Sequence, residues 1–186
     1  MEVIDLDIDY LRYASRMDAY TLDELMNDYG QDIWNYAYFI TKNRAQADDI
    51  SQEVFLKAYR HISSFRGECP VKSWLLKITF NLCINYKRSA FFRKVTLRDW
   101  IRPSETHRSA EDDYIDQMMS DEIWKTILRL PAKFREVLIL DIQHAMSLQE
   151  MADLLGISMG TVKSRLHRAR AKVSAMLKEG DNYETI

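Results

Sequence analysis

Apolar side chains recur at helical spacing along nearly the whole chain, and no segment sustains the every-second-residue alternation of a strand. Leu22, Leu25, Met26, Tyr29, Ile33, Tyr36 and Ile40 predict a helix over residues 22–41. After a turn at 42–44, Ala47, Ile50, Val54 and Ala58 mark the inward stripe of a second helix over about 46–62. A loop at 63–72 leads into a third helix, about 73–89. Periodicity is lost over 93–118, where both signs of charge mix around Arg102, Pro103 and Ser104, the pattern of a linker. It returns in four shorter stretches, about 121–129, 131–142, 147–155 and 158–176. The three prolines and five glycines punctuate this scheme: Pro70 in a loop, Pro103 in the linker, Pro131 opening a helix, Gly156 at a turn and Gly180 ending the last helix. The expected fold class is all-α, two small helical domains joined by a flexible linker. The expected divisions are an acidic extension 1–20, a helical domain 21–92, the linker 93–118, a second helical domain 119–180 and a tail 181–186.

The second domain carries the sharpest local signal. Ser147 stands three residues before Glu150, a capping box that opens a short helix. Ala152 is small where a following helix must cross closely, Gly156 suits a turn that needs positive φ, and Val162 is placed to fill the angle between two helices. With Leu154, Leu155 and Ile157 as core, this spacing matches a DNA-binding helix-turn-helix. On the second of those helices, Val162, Leu166, Ala169, Val173 and Leu177 share one face at 100° per residue. Gly160, Thr161, Ser164, His167 and Arg168 share the other, flanked by Lys163, Arg165, Arg170 and Lys172. Hydroxyl, imidazole and guanidinium groups can reach base edges in a major groove, and the flanking cations can meet phosphates.

Charge changes the picture by its distribution. The formal net charge is −2, yet residues 1–32 hold nine acids and two bases, residues 69–98 seven bases and no acid, and residues 163–172 five bases and no acid. Two basic patches on an otherwise acidic chain fit two contacts with a polyanion. At 47% hydrophobic and 29% charged, the composition supports packed cores and argues against wholesale disorder. The two cysteines, Cys69 and Cys83, have no metal-ligand spacing and read as a loop thiol and a small buried hydrophobe in a reduced compartment. There is no apolar signal segment and no run long enough to span a membrane, so a cytoplasmic location is expected.

In the first domain, the face opposite the Ala47–Ile50–Val54–Ala58 stripe carries Asp49, Gln52, Glu53, Leu56 and Tyr59. Acids and an amide around a misplaced Leu and Tyr suit docking to a basic partner helix. Further on, Phe65 and Arg66-Gly67 precede a helix that mixes apolar packing at Trp74, Leu75, Ile78 and Leu82 with amides at Asn81 and Asn85 and a basic end at Lys87 and Arg88. Aromatic, amide and cationic groups together are the chemistry of unstacked, single-stranded nucleic acid.

These segments together, residues 48–59, 65–75 and 130–170, resemble extracytoplasmic-function sigma factors of the sigma-70 family. The likeness runs in order from about residue 22 to 178. It implies that Asp48, Asp49, Gln52, Glu53 and Leu56 bind the largest subunit of core RNA polymerase, and that residues 130–142 grip the flap of the second-largest. It implies that Phe65 captures a flipped base of the minus-ten element, with Arg66, Lys77, Asn81, Asn85, Lys87 and Arg88 along the melted strand. It places Thr161, Lys163, Ser164, Arg165, His167, Arg168 and Arg170 on duplex DNA at the minus-thirty-five element. The implied partners are core polymerase, promoter DNA both duplex and melted, and an anti-sigma protein anchored at the membrane, with no small-molecule substrate. The loop 68–71 and the acidic extension depart from the family pattern. No catalytic residue, cofactor or metal is expected: the four histidines are scattered and no nucleophile–base set is evident. The alternative is a conventional helix-turn-helix regulator acting on duplex DNA without polymerase, which leaves the Phe65 loop and the asparagine pair unexplained.

Overall fold

A computed structural model describes residues 17–96 and 121–181, with side chains described through Ser89 and again through Lys178. Among these residues the chain is helical, with no strand. The described residues form seven α-helices, in order α1 Ala19–Thr41, α2 Arg44–Arg60, α3 Val71–Thr96, α4 Glu122–Arg129, α5 Ala132–Ile142, α6 Leu148–Leu155 and α7 Met159–Asp181. A 3-10 turn, Ile62–Ser64, follows α2. The chain divides into two compact units, Met1–Ser89 with Ala152–Gly156, and Ala90–Met151 with Ile157–Ile186. No helix among the described residues is long and apolar enough to cross a membrane.

In the first unit α1 packs along α2. Asp18 caps α1 by accepting from the Thr21 N–H at 2.8 Å, so the helix begins inside the range expected to be extension. Met17 just before it is buried. The α1–α2 turn is only two residues. Lys42 takes a left-handed conformation, φ 58°, and returns its N–H to the Tyr38 carbonyl, while the Asn43 side chain accepts from the Gln46 N–H at 3.0 Å. Ala47, Ile50, Val54 and Ala58 are all buried, as the stripe predicts, and Phe55 joins them. From α1, Leu25, Ile33, Tyr36 and Ile40 are buried, but Met26 is exposed, 100° around the helix from Leu25. The helix α3 continues to Thr96, past the expected linker start at 93. Residues 89–96 carry neither Gly nor Pro, so nothing local stops it.

In the second unit α4 and α5 both pack on α7 and touch each other. Asp121 caps α4, accepting from the Ile123 N–H at 2.9 Å. Arg135 is buried at 4% exposure and donates through Nη1 to the carbonyls of Leu128 (3.1 Å) and Leu130 (2.7 Å). Burial lowers its pKa, and the adjacent Glu136 charge partly offsets that. The guanidinium takes up two carbonyls at the end of α4, which has no further turn of helix to accept from them.

Candidate nucleic-acid and protein interfaces

On α2, the outward face is built by default once the small and branched stripe is buried. Asp49 and Gln52 are exposed, Leu56 and Tyr59 are each 44% exposed, and Glu53 is half-buried with its carboxylate 3.5 Å from the Lys57 ammonium. Asp48 departs from the expectation. Its carboxylate accepts from Trp34 Nε1 at 2.6 Å, so it faces α1 and does not share the docking face. The cause is the indole, which has one donor and is itself only 7% exposed.

The loop after α2 brings a second correction. Phe65 is 3% exposed, its ring centred 5.3 Å from that of Trp74. A ring in that position is core, and it cannot stack on a base from where it stands. Burial of a large aromatic outweighs anything a solvated loop position would provide. What the loop does expose is Arg66, Glu68 and Cys69, around Gly67 at φ 66°.

Along α3, Val71, Leu75, Leu76, Thr79 and Cys83 are buried and Trp74, Ile78 and Leu82 half-buried. The Thr79 hydroxyl donates back to the Leu75 carbonyl at 2.8 Å. Asn81 and Asn85, four apart, are both exposed, as is Arg88, whereas Lys77 and Lys87 are half-buried. One lysine of the basic segment is already neutralised: Lys72 pairs with Asp32 of α1 at 2.6 Å.

Around α6 and α7 the local geometry follows the sequence closely. Ser147 and Glu150 form the reciprocal capping box, with Ser147 N–H to Glu150 Oε2 at 2.8 Å and Glu150 N–H to Ser147 Oγ at 3.3 Å. Gly156 has φ 67°, and Ala152 and Val162 are buried. Ser158 caps α7, its hydroxyl accepting from the Thr161 N–H at 3.2 Å and lying 2.8 Å from the Thr161 hydroxyl. Thr161 is thus half-buried and occupied at the cap. Gly160, Lys163, Ser164, His167 and Arg168 are exposed, opposite buried Val162, Leu166 and Ala169, and Arg165 is half-buried. Arg170, expected as a flanking cation, is exposed and pairs with Asp141 of α5 at 2.6 Å.

One feature leaves little trace in the sequence. An open apolar groove of about 350 Å³ lies along α4, α5 and α7, lined by Ile123, Ile127, Leu138, Ile142, Val173 and Leu177, with Arg170 and Lys178 also at its wall. Ile123 and Ile142 are 47% and 51% exposed. Pairing of Ile123 with Ile127 on a short helix was the available signal. Among the described residues no cluster of His, Cys, Asp and Glu could hold a metal ion.

The sequence profile of Sigma-70 region 2 matches residues 25–91, and that of Sigma-70 region 4 matches residues 120–173. The chain is 30% identical over 170 residues to the ECF RNA polymerase sigma factor SigL of Mycobacterium tuberculosis, covering 89% of this chain and 94% of that one. It is 28% identical over 168 residues to the RNA polymerase sigma factor YlaC of Bacillus subtilis, covering 89% and 97%. The solved structure of CnrH in complex with the cytosolic domain of CnrY superposes with a TM-score of 0.66 at 25% identity, covering 94% of this chain and 99% of that one. The chain belongs to the sigma-70 family, and within it to the extracytoplasmic-function RNA polymerase sigma factors.

Proposed function

We propose that this sigma factor docks on the largest subunit of core RNA polymerase through Asp49, Gln52, Glu53 and Leu56, reads the minus-thirty-five element through Lys163, Ser164, His167 and Arg168, and holds melted minus-ten bases with Arg66, Asn81, Asn85 and Arg88. It acts in the cytoplasm by binding alone, without catalysing a reaction. The observation that carries this reading is α7: a capped helix buried on one side through Val162, Leu166 and Ala169 and presenting hydroxyl, imidazole and guanidinium groups on the other. A base leaves the stack at a cost of a few kcal/mol, offset by contacts in the loop and along α3. Phe65 enters this scheme as the support beneath the loop, with Arg66 as the group that meets the strand. Two weak readers on one chain gain affinity through effective concentration. The apolar groove on α4, α5 and α7 receives the flap of the second-largest subunit. The pairing of CnrH with the cytosolic domain of another protein supports a membrane-anchored anti-sigma partner here.

The test is transcription from a promoter fragment by core polymerase with and without the full chain. Specific initiation only when both are present is expected. Tight duplex binding by the chain alone, unchanged by core polymerase, would instead identify a conventional regulator.

A further inference from the structure

We infer that Asp48 is a positioning residue for polymerase docking: its bond to Trp34 pins the first turns of α2 in the rotation, selected by the buried stripe, that turns Asp49, Gln52 and Leu56 outward. The inference rests on the docking face proposed above. Asp48 and Asp49 are consecutive, so their side chains leave α2 about 100° apart. Only one of them can serve the indole of Trp34. If Asp49 took that place, α2 would turn by one residue and Leu56 would swing toward the core.

Burial of the Ala47–Ile50–Val54–Ala58 stripe sets the overall rotation of α2, and its hold is weakest at the first turn. Its N-terminal member is Ala47, whose single methyl packs without keying an orientation. The indole supplies the key. Trp34 is 7% exposed, and the Tyr38 ring stacks on it at 5.3 Å with an interplanar angle of 9°, which fixes the indole plane and therefore the direction of Nε1–H. Its acceptor is Asp48 Oδ1 at 2.6 Å. A buried indole donor left without an acceptor is costly, so the rotation that satisfies it is reinforced at that turn. The C-terminal end of α2 is keyed separately, by buried Ile62 and by Phe65 against Trp74.

The experiment compares full-length Asp48→Asn, Asp48→Ala, Trp34→Phe and Leu56→Ala in competition binding to core polymerase, with circular dichroism as the check on helicity. Asn keeps an acceptor for the indole and loses the charge. Asp48→Asn should therefore bind within about twofold of the parent, while Asp48→Ala and Trp34→Phe each lose roughly tenfold, the upper end of what one hydrogen bond with any acceptor contributes. In Asp48→Asn the Trp34 indole N–H resonance should stay shifted, and in Asp48→Ala it should move toward the free-indole position. Equal losses for Asp48→Asn and Asp48→Ala with Trp34→Phe unaffected would make Asp48 a direct polymerase contact and overturn the inference. Parent-like binding by both Asp48→Ala and Trp34→Phe would overturn it as well. Should Asp48→Ala fail to fold, Trp34→Phe, which keeps most of the ring volume, decides. Leu56→Ala tests the docking face independently: if it binds like the parent, the face itself is wrong, whatever the other variants do.

Discussion

The helices α2 and α7 are built alike and present opposite chemistry. Each buries a stripe of small and branched residues, Ala47, Ile50, Val54 and Ala58 in one, Val162, Leu166 and Ala169 in the other. The exposed side of α2 is acidic and amide-bearing around one leucine and one tyrosine, whereas that of α7 is cationic and hydroxylic with no large apolar group among Lys163, Ser164, His167 and Arg168. An exposed leucine among acids suits a protein surface, where desolvation supplies much of the affinity. A cationic face without apolar anchors suits a polyanion, where counterion release dominates and salt weakens binding steeply. On the roles proposed for them, the outward residues of the two helices are what sort the two partners.

The contrast can be broken most forcefully at Phe65. Because that ring is core, Phe65→Ala should cost about 3–5 kcal/mol of stability. Hydrogen exchange should rise in α1–α3 while α4, α5 and α7 keep their protection. Full stability together with loss of promoter melting would restore the ring to the DNA. Next in size, Leu56→Ala should weaken core-polymerase binding by about 2 kcal/mol, with little change in that loss between low and high salt. Isothermal titration at two ionic strengths measures it. Arg168→Ala sharpens the other side: about 1–2 kcal/mol lost on duplex DNA by the holoenzyme, with relaxed preference at one upstream position if the guanidinium reads a base. A uniform loss over all upstream sequences, with a shallower salt slope, would make it a phosphate contact. The smallest effect belongs to Arg170, which is already paired with Asp141. Arg170→Ala should change duplex affinity by less than about 0.5 kcal/mol, within the range of an exposed ion pair, and filter binding against a promoter series would show it.

What could be read from the chain was what is encoded locally. The Ser147–Glu150 box, the positive φ of Gly156 and the buried stripe of α2 each depend on residues within a turn or two of one another. What could not be read involves partners further off. Trp34 and Asp48 stand 14 apart in sequence, Asp141 and Arg170 29 apart, and neither pairing leaves a mark on helical periodicity. The burial of Phe65 is not legible because an aromatic in a polar loop looks exposed until Trp74 is known to sit beside it. The groove went unseen for the same reason: its walls come from three helices, and only their packing makes Ile123, Ile142 and Leu177 neighbours. The end of α3 shows the converse error. Loss of amphipathic pattern after residue 92 predicts loss of helix, but a helix without breakers needs no apolar face to continue for one more turn.

The buried guanidinium of Arg135 has a consequence for how that groove recruits its occupant. By clasping the carbonyls of Leu128 and Leu130, it fixes the corner between α4 and α5, and with it the separation of Ile123 and Ile127 from Leu138 and Ile142. On the role proposed for the groove, a corner fixed in this way leaves no closing motion to draw on the binding energy. Any ordering entropy falls on the incoming segment. An incoming helix that is already rigid would bind tightly at once, while a disordered one would pay for its own folding and leave faster.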